Sequence, residues 1–125
     1  MSTKYNKQNW KRFSYVQLLD FSCKVWRDQP EIAKAIADEA SEFIQIGLEE
    51  KPIFFSGKSA KGVASGLFYH LGFVRGCPKT QAEIAKSLET TDMTVRASFR
   101  DWLNSFMDLF PTENRRYVSG HDSRT

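Results

Sequence analysis

The residues best suited to chemistry stand between positions 79 and 100. Met93, Arg96, Ala97 and Arg100 recur at spacings of three and four, so on a helix they share one side. Thr94 joins them in the first turn. Arginine can bridge O6 and N7 of a guanine, while Met93 and the methyl of Thr94 suit a thymine methyl. Met93, Thr94 and Arg96 are therefore candidates for reading bases in a major groove. Just upstream, Lys79, Thr80 and Gln81 open a shorter helix, where backbone N–H groups and a cation suit phosphate. Lys58, Lys61, Lys86 and Arg100 would widen that phosphate-binding surface.

These residues need elements that present them together. Thr80-Gln-Ala-Glu83 matches a capping box and opens a helix through Leu88, whose apolar residues are Ala82, Ile84, Ala85 and Leu88. Glu89-Thr-Thr91 interrupts it, and Thr91 caps a second helix beginning at about Asp92. The second helix buries Val95, Phe99, Trp102 or Leu103, and Phe106, and turns its arginines the other way. A short helix, a tight turn and a helix with polar first turns make a helix-turn-helix pattern over about 80–106. A solvated amphipathic helix gives the same spacing without any nucleic acid. Glu89 weighs against base readout, because glycine usually supplies the left-handed residue of such a turn.

Three further helices precede this pair. Ser14-Tyr-Val-Gln17 is a capping box for a helix to about Trp26, with Tyr15, Leu18, Leu19, Ser22 and Trp26 along one side. Asp28 and Pro30 start a second, carrying Ile32, Ile36, Ala40, Phe43 and Gly47 against the core and Asp38, Glu39, Glu42 and Glu49 opposite. Ser59 caps a third, to about Val74, striped by Val63, Leu67, Leu71 and Val74. Ala60, Gly62, Ala64, Ser65 and Gly66 weaken its helix propensity, so close approach by neighbours must offset them. That makes the third helix the central one. Between the second and third lies a loop with the apolar run Ile53-Phe54-Phe55, which either caps the core or meets a partner.

Composition sets the bounds. With 125 residues, 41% hydrophobic and 14% aromatic, the chain can bury one core and is not an unfolded polyelectrolyte. Helical spacing throughout makes it all-α. No stretch approaches the roughly 20 apolar residues of a membrane span, and no secretory signal opens the sequence. Cys23 and Cys77 form no CxxC pair; with His70 and His121 they give no zinc site, and they read as buried free thiols. The net charge of +3 hides a division: residues 1–12 carry +4, residues 31–50 carry −5, and residues 56–100 carry +4. One side suits an anionic partner and another repels it. Paired carboxylates, a phosphate loop or a nucleophile beside a base are missing at any useful spacing, so an enzyme is not expected.

Gly57-Lys-Ser59, Thr80-Gln-Ala-Glu-Ile-Ala85, Asp92-Met-Thr-Val-Arg96 and Ser98-Phe-Arg100 together resemble the second cyclin repeat of archaeal transcription factor B and eukaryotic transcription factor IIB. The family shows G-[KR]-S-P, R-T-Q-x-E-[IV] and [DE]-V-T-[IV]-R at the corresponding places. Asp108-Leu-Phe-Pro-Thr112 is similar to the segment that closes the repeat. The likeness covers about residues 13–112, between a basic leader at 1–12 and a polar tail at 113–125. It implies a single five-helix cyclin-like repeat whose last two helices form a helix-turn-helix.

The implied function is binding of double-stranded promoter DNA beside the TATA box, together with TATA-binding protein. The resemblance gives Met93, Thr94 and Arg96 to the bases and Thr80 and Gln81 to the start of the preceding helix. It implies a monomer without cofactor, cytoplasmic in an archaeon and nuclear in a eukaryote. Ala60 departs from the family's proline and Glu89 from its frequent glycine, and the 50–56 loop is long. The zinc ribbon and linker that recruit RNA polymerase are not among these motifs, so recruitment is not carried over, and the RNA polymerase machinery stays a candidate partner only. Either an excised C-terminal repeat or a single-repeat relative fits. A cyclin-like protein-interaction module, or a regulator of initiation, with a vestigial helix-turn-helix is the competing reading, favoured by the acidic second helix, the apolar loop and the glycine-free turn.

Overall fold

The computed structural model describes residues 13–110. The leader 1–12 and the tail 113–125 lie outside the described residues, as do positions 111 and 112. Within them the chain is all-α: α1 Tyr15–Val25, α2 Pro30–Glu50, α3 Ala60–Val74, α4 Gln81–Leu88 and α5 Asp92–Ser105. Two short 3-10 turns, Pro52–Phe55 and Met107–Leu109, follow α2 and α5, and the described residues contain no strand.

Side-chain caps fix most helix starts. Ser59 Oγ accepts from Gly62 N at 3.0 Å, and Thr91 Oγ1 from Thr94 N at 3.1 Å. At Thr80 the box closes both ways, with Glu83 N donating to Thr80 Oγ1 at 3.0 Å and Thr80 N to Glu83 Oε1 at 2.8 Å. Ser14 caps in one direction only, from Gln17 N at 3.3 Å. For α2 the expected cap shifts by one: Gln29, not Asp28, precedes the helix, and it makes no side-chain cap bond. Pro30 has no N–H to satisfy, so the missing cap costs little.

Helix α3 lies in the middle, touching all four other helices, and every residue from Val63 to Gly72 is buried. Its small residues do what their helix propensity could not justify. A Cβ placed on Gly66 would lie 2.6 Å from Phe99 N and 2.7 Å from the Ser98 carbonyl carbon, so the α3 and α5 backbones meet there. Trp102 locks the crossing by donating from Nε1 to Val63 O at 3.2 Å. Val63, Leu67, Ile84, Val95, Phe99 and Trp102 share the one core, as expected. Phe13, Phe54, Phe55 and Phe106 extend it toward the end of α2, where Phe55 rests against Gly47.

Several local expectations change. Cys23 is exposed, because the buried stripe of α1 is Leu18, Phe21, Ser22 and Val25, and Cys23 points away from it. Leu19 and Tyr15 are half-buried, and Val74 is exposed at the C-terminal end of α3. In the apolar loop the residues part company: Phe55 is buried, Phe54 packs on Trp102 and Phe106, and Ile53 is 82% exposed.

His70 is enclosed by the rings of Phe43, Phe99 and Phe110, and burial lowers its pKa from 6.5 to about 4. The unfolded chain therefore takes up a proton below pH 6.5 that the folded chain refuses until about pH 4. Stability from this group is complete above pH 6.5 and drains away as the pH falls toward 4, by about 3 kcal/mol in all. Denaturant titrations between pH 7 and 4 should show that loss, and His70→Phe should abolish it, so that the stability difference between the two proteins, native minus variant, shrinks as the pH falls. Gly66→Ala forces the α3–α5 crossing apart and should cost at least about 1–3 kcal/mol in the same assay, without loss of far-ultraviolet helix signal.

Candidate nucleic-acid interface

The first link is the turn between α4 and α5. Leu88 ends α4 buried in the core, and Val95 is buried one turn into α5, so the chain must reverse within three residues. Glu89 makes the reversal in the left-handed region, at φ 58 and ψ 50. Glu89 N donates to Lys86 O at 3.3 Å and Thr90 N to Ala85 O at 2.9 Å, the paired bonds of a Schellman ending. The geometry that glycine usually supplies is thus present, but a side chain bears its strain.

Helix α5 then presents three sides. Met93, Ala97, Arg100 and Asn104 form an exposed crest, with Met93 at 74% exposure. Arg96 lies on the flank toward α4, half-buried, and its Nε donates to Gln81 Oε1 at 3.2 Å. Thr94, Ser98 and Asp101 lie on the opposite flank, toward α3, lining a groove of about 260 Å³ with Phe54, Lys58 and Gly62. The Thr94 hydroxyl is 3.0 Å from that of Thr91, so it belongs to the capping cluster of the turn. The crest and the α4 flank bring Met93, Arg96 and Arg100 to one region; Thr94 stands at its edge.

Gln81 departs most from expectation. It is 5% exposed, so its side chain is not offered to a phosphate at the surface. Because a guanidinium only donates, the Gln81 oxygen must face Arg96. That leaves Gln81 Nε2 buried without a hydrogen-bond partner among the described residues. Sequence reasoning assigned Gln81 to the surface through its motif. Its spacing gave the other answer: Gln81, Ile84, Ala85 and Leu88 follow i, i+3, i+4, i+7, the buried stripe of α4.

The cations differ in their freedom. Lys58 Nζ donates to Phe54 O at 2.8 Å, sits 4.5 Å from the centre of the Phe54 ring and lies 3.9 Å from Asp101. Lys58 therefore secures the loop to α5. Lys61 and Lys79 are half-buried, while Lys86 and Arg100 are exposed. Thr80 is exposed, with its hydroxyl committed to the cap. The described residues contain no group of three or more His, Cys, Asp or Glu placed to hold a metal, and both thiols are free. No helix among the described residues is long and apolar enough to cross a membrane.

No protein-family model, curated protein or solved structure matches the chain.

The strain at Glu89 is measurable. Glu89→Gly relieves a left-handed non-glycine residue, and should raise unfolding free energy by about 1 kcal/mol despite the added freedom of the unfolded chain. In a domain of this size that corresponds to a rise in melting temperature of about 4–8 °C, readable by calorimetry.

Proposed function

We propose that this chain is a transcription factor B-type cyclin repeat that binds double-stranded promoter DNA next to the TATA box, with TATA-binding protein. Helix α4, the Glu89 turn and α5 act as the helix-turn-helix, and the start of α5 enters the major groove. One observation carries the reading: Arg96 is held by Gln81 beside the exposed Met93 and Arg100, in the first turns of the helix that follows a left-handed turn. A restrained arginine loses less freedom on forming a bidentate guanine contact than a free one. The motifs shared with the family supply the partner and the promoter setting. Met93 and Arg96 read the bases, with Thr94 at the margin, and Lys61, Lys79, Lys86, Arg100 and the exposed start of α4 take the backbone phosphates.

A protein-interaction role is the second reading. Ile53 is 82% exposed on a loop fixed by its neighbours Phe54 and Phe55, and α2 displays Asp38, Glu42 and Glu49 to solvent. A partner with a basic, apolar face would suit that side, and its binding would not need α5.

Mobility-shift titrations on a TATA-containing duplex and a scrambled one, with and without TATA-binding protein, separate the two. Arg96→Ala should cost about 1–3 kcal/mol on the preferred duplex and blur preference at one base pair. Lys86→Ala should weaken both duplexes alike and flatten the log K against log salt slope by about 0.9. Lowered stability in Arg96→Ala with unchanged selectivity would make Arg96 a structural partner of Gln81 and sink the base-reading assignment.

A further inference from the structure

A polar cleft of about 180 Å³ lies where the end of α1, the start of α3 and the α4–α5 turn converge. Lys24 and Arg27 line it from the α1 side, Lys61 from α3, and Ser87 and Glu89 from the turn. Those charged groups sum to +2, yet they do not neutralise one another. Lys24 pairs with Asp20 on the exposed side of α1 at 3.4 Å, and neither Arg27 nor Lys61 has an ion pair among the described residues. Glu89, the one carboxylate of the cleft, likewise stands more than ion-pair distance from all three cations. Lys61 is half-buried, which makes an ammonium without a counter-charge costlier than on an open surface.

The second observation is independent of the charges. Glu89 is the only non-glycine residue with positive φ among the described residues. Strain of this kind, where glycine would relieve it, points to a side chain retained for what it does. Here that residue is one of those that line the cleft of cations.

We propose that this cleft is a phosphate-binding site, with Arg27 and Lys61 as its main donors, Lys24 and the Ser87 hydroxyl as supporting ones, and Glu89 as a built-in competitor. A tetrahedral anion with several acceptor oxygens can reach cations that are too far from Glu89 to pair with it. Arginine presents a fork that suits two phosphate oxygens at once, and lysine adds a point charge. The Glu89 carboxylate repels the same anion, so binding is weakened, reversible and sensitive to salt. The phosphate belongs to a duplex backbone: Glu89 stands three residues before α5, so the cleft abuts the turn that delivers that helix. Only this choice of source rests on the DNA reading above; free inorganic phosphate offers the same chemistry.

The test titrates the isotope-labelled full chain with inorganic phosphate at constant ionic strength, using chloride as control, and follows backbone amide shifts. Saturable shifts are expected at Lys61, Ser87 and Glu89 with phosphate and not with chloride. Arg27→Ala/Lys61→Ala should abolish them, with thermal melting confirming that the variant folds. Glu89→Gln should tighten phosphate roughly two- to fivefold, by removing one like charge. The source is then read from duplex binding. A log K against log salt slope flattened by about 0.9 for each cation removed, on TATA-containing and scrambled duplexes alike, assigns the phosphate to DNA. Saturable shifts with an unchanged slope assign the site to free phosphate. Absence of a saturable phosphate response in these amides overturns the site, whatever the duplex does. The Arg96→Ala selectivity result is independent of the phosphate titration, so the two proposals can fail separately.

Discussion

The close crossing of α3 and α5 is the constraint on which the remaining architecture depends. At Gly66 the two backbones approach until a single methyl group would strike Phe99 N. This brings Trp102 within hydrogen-bond reach of Val63 O, and lets Phe99 and Val95 enter the core beside Leu67. With α5 fixed this way, its buried stripe consumes Val95, Phe99, Trp102 and Phe106, and Met93, Ala97 and Arg100 have nowhere to go but outward. The interior of an α-domain is packed to near-crystalline density, so an adjustment at the crossing cannot be absorbed locally.

Polar groups inside the domain serve the same rigidity. Trp26 donates from Nε1 to Cys77 O at 2.9 Å, tying the end of α1 to the loop that leads into α4. Ser22 donates to Ala33 O at 2.6 Å, joining α1 to α2. Each such bond adds only about 0.5–1.5 kcal/mol net, but leaving the buried carbonyl or hydroxyl unmade costs more. They therefore select one arrangement of helices over similar alternatives. The Gln81–Arg96 bond belongs to this class on its buried side and to the surface on its other side.

Charge divides the molecule without strong pairing. The acids of α2 face solvent except where Glu39 meets Arg75 at 2.9 Å, and the cations of α3, α4 and α5 gather elsewhere. The surface pairs Lys24–Asp20 and Lys34–Asp38 are exposed and contribute about 0–1 kcal/mol each. What the segregation does instead is shape the field. The solvent-facing acids of α2 repel anions from that side of the molecule.

By itself the sequence determined the all-α class, the α3–α5 starts, the central place of α3 and the outward position of Met93, Ala97 and Arg100 on α5. These are properties of periodicity and capping, which act over three or four residues and are written directly in side-chain order. The caps at Ser59, Thr80 and Thr91 form where the motifs put them, and Val63, Leu67, Ile84, Val95, Phe99 and Trp102 meet as their spacing requires. Only the tertiary structure decided that Gln81 turns inward to hold Arg96, that Lys58 is committed to Phe54, that Cys23 faces solvent, and that Lys24, Arg27, Lys61 and Glu89 share one cleft. The reason is physical. Helix periodicity says which way a residue points from its own axis, but its neighbours across the fold depend on how several axes cross. That is set by packing between residues far apart in the chain, such as Gly66 against Phe99.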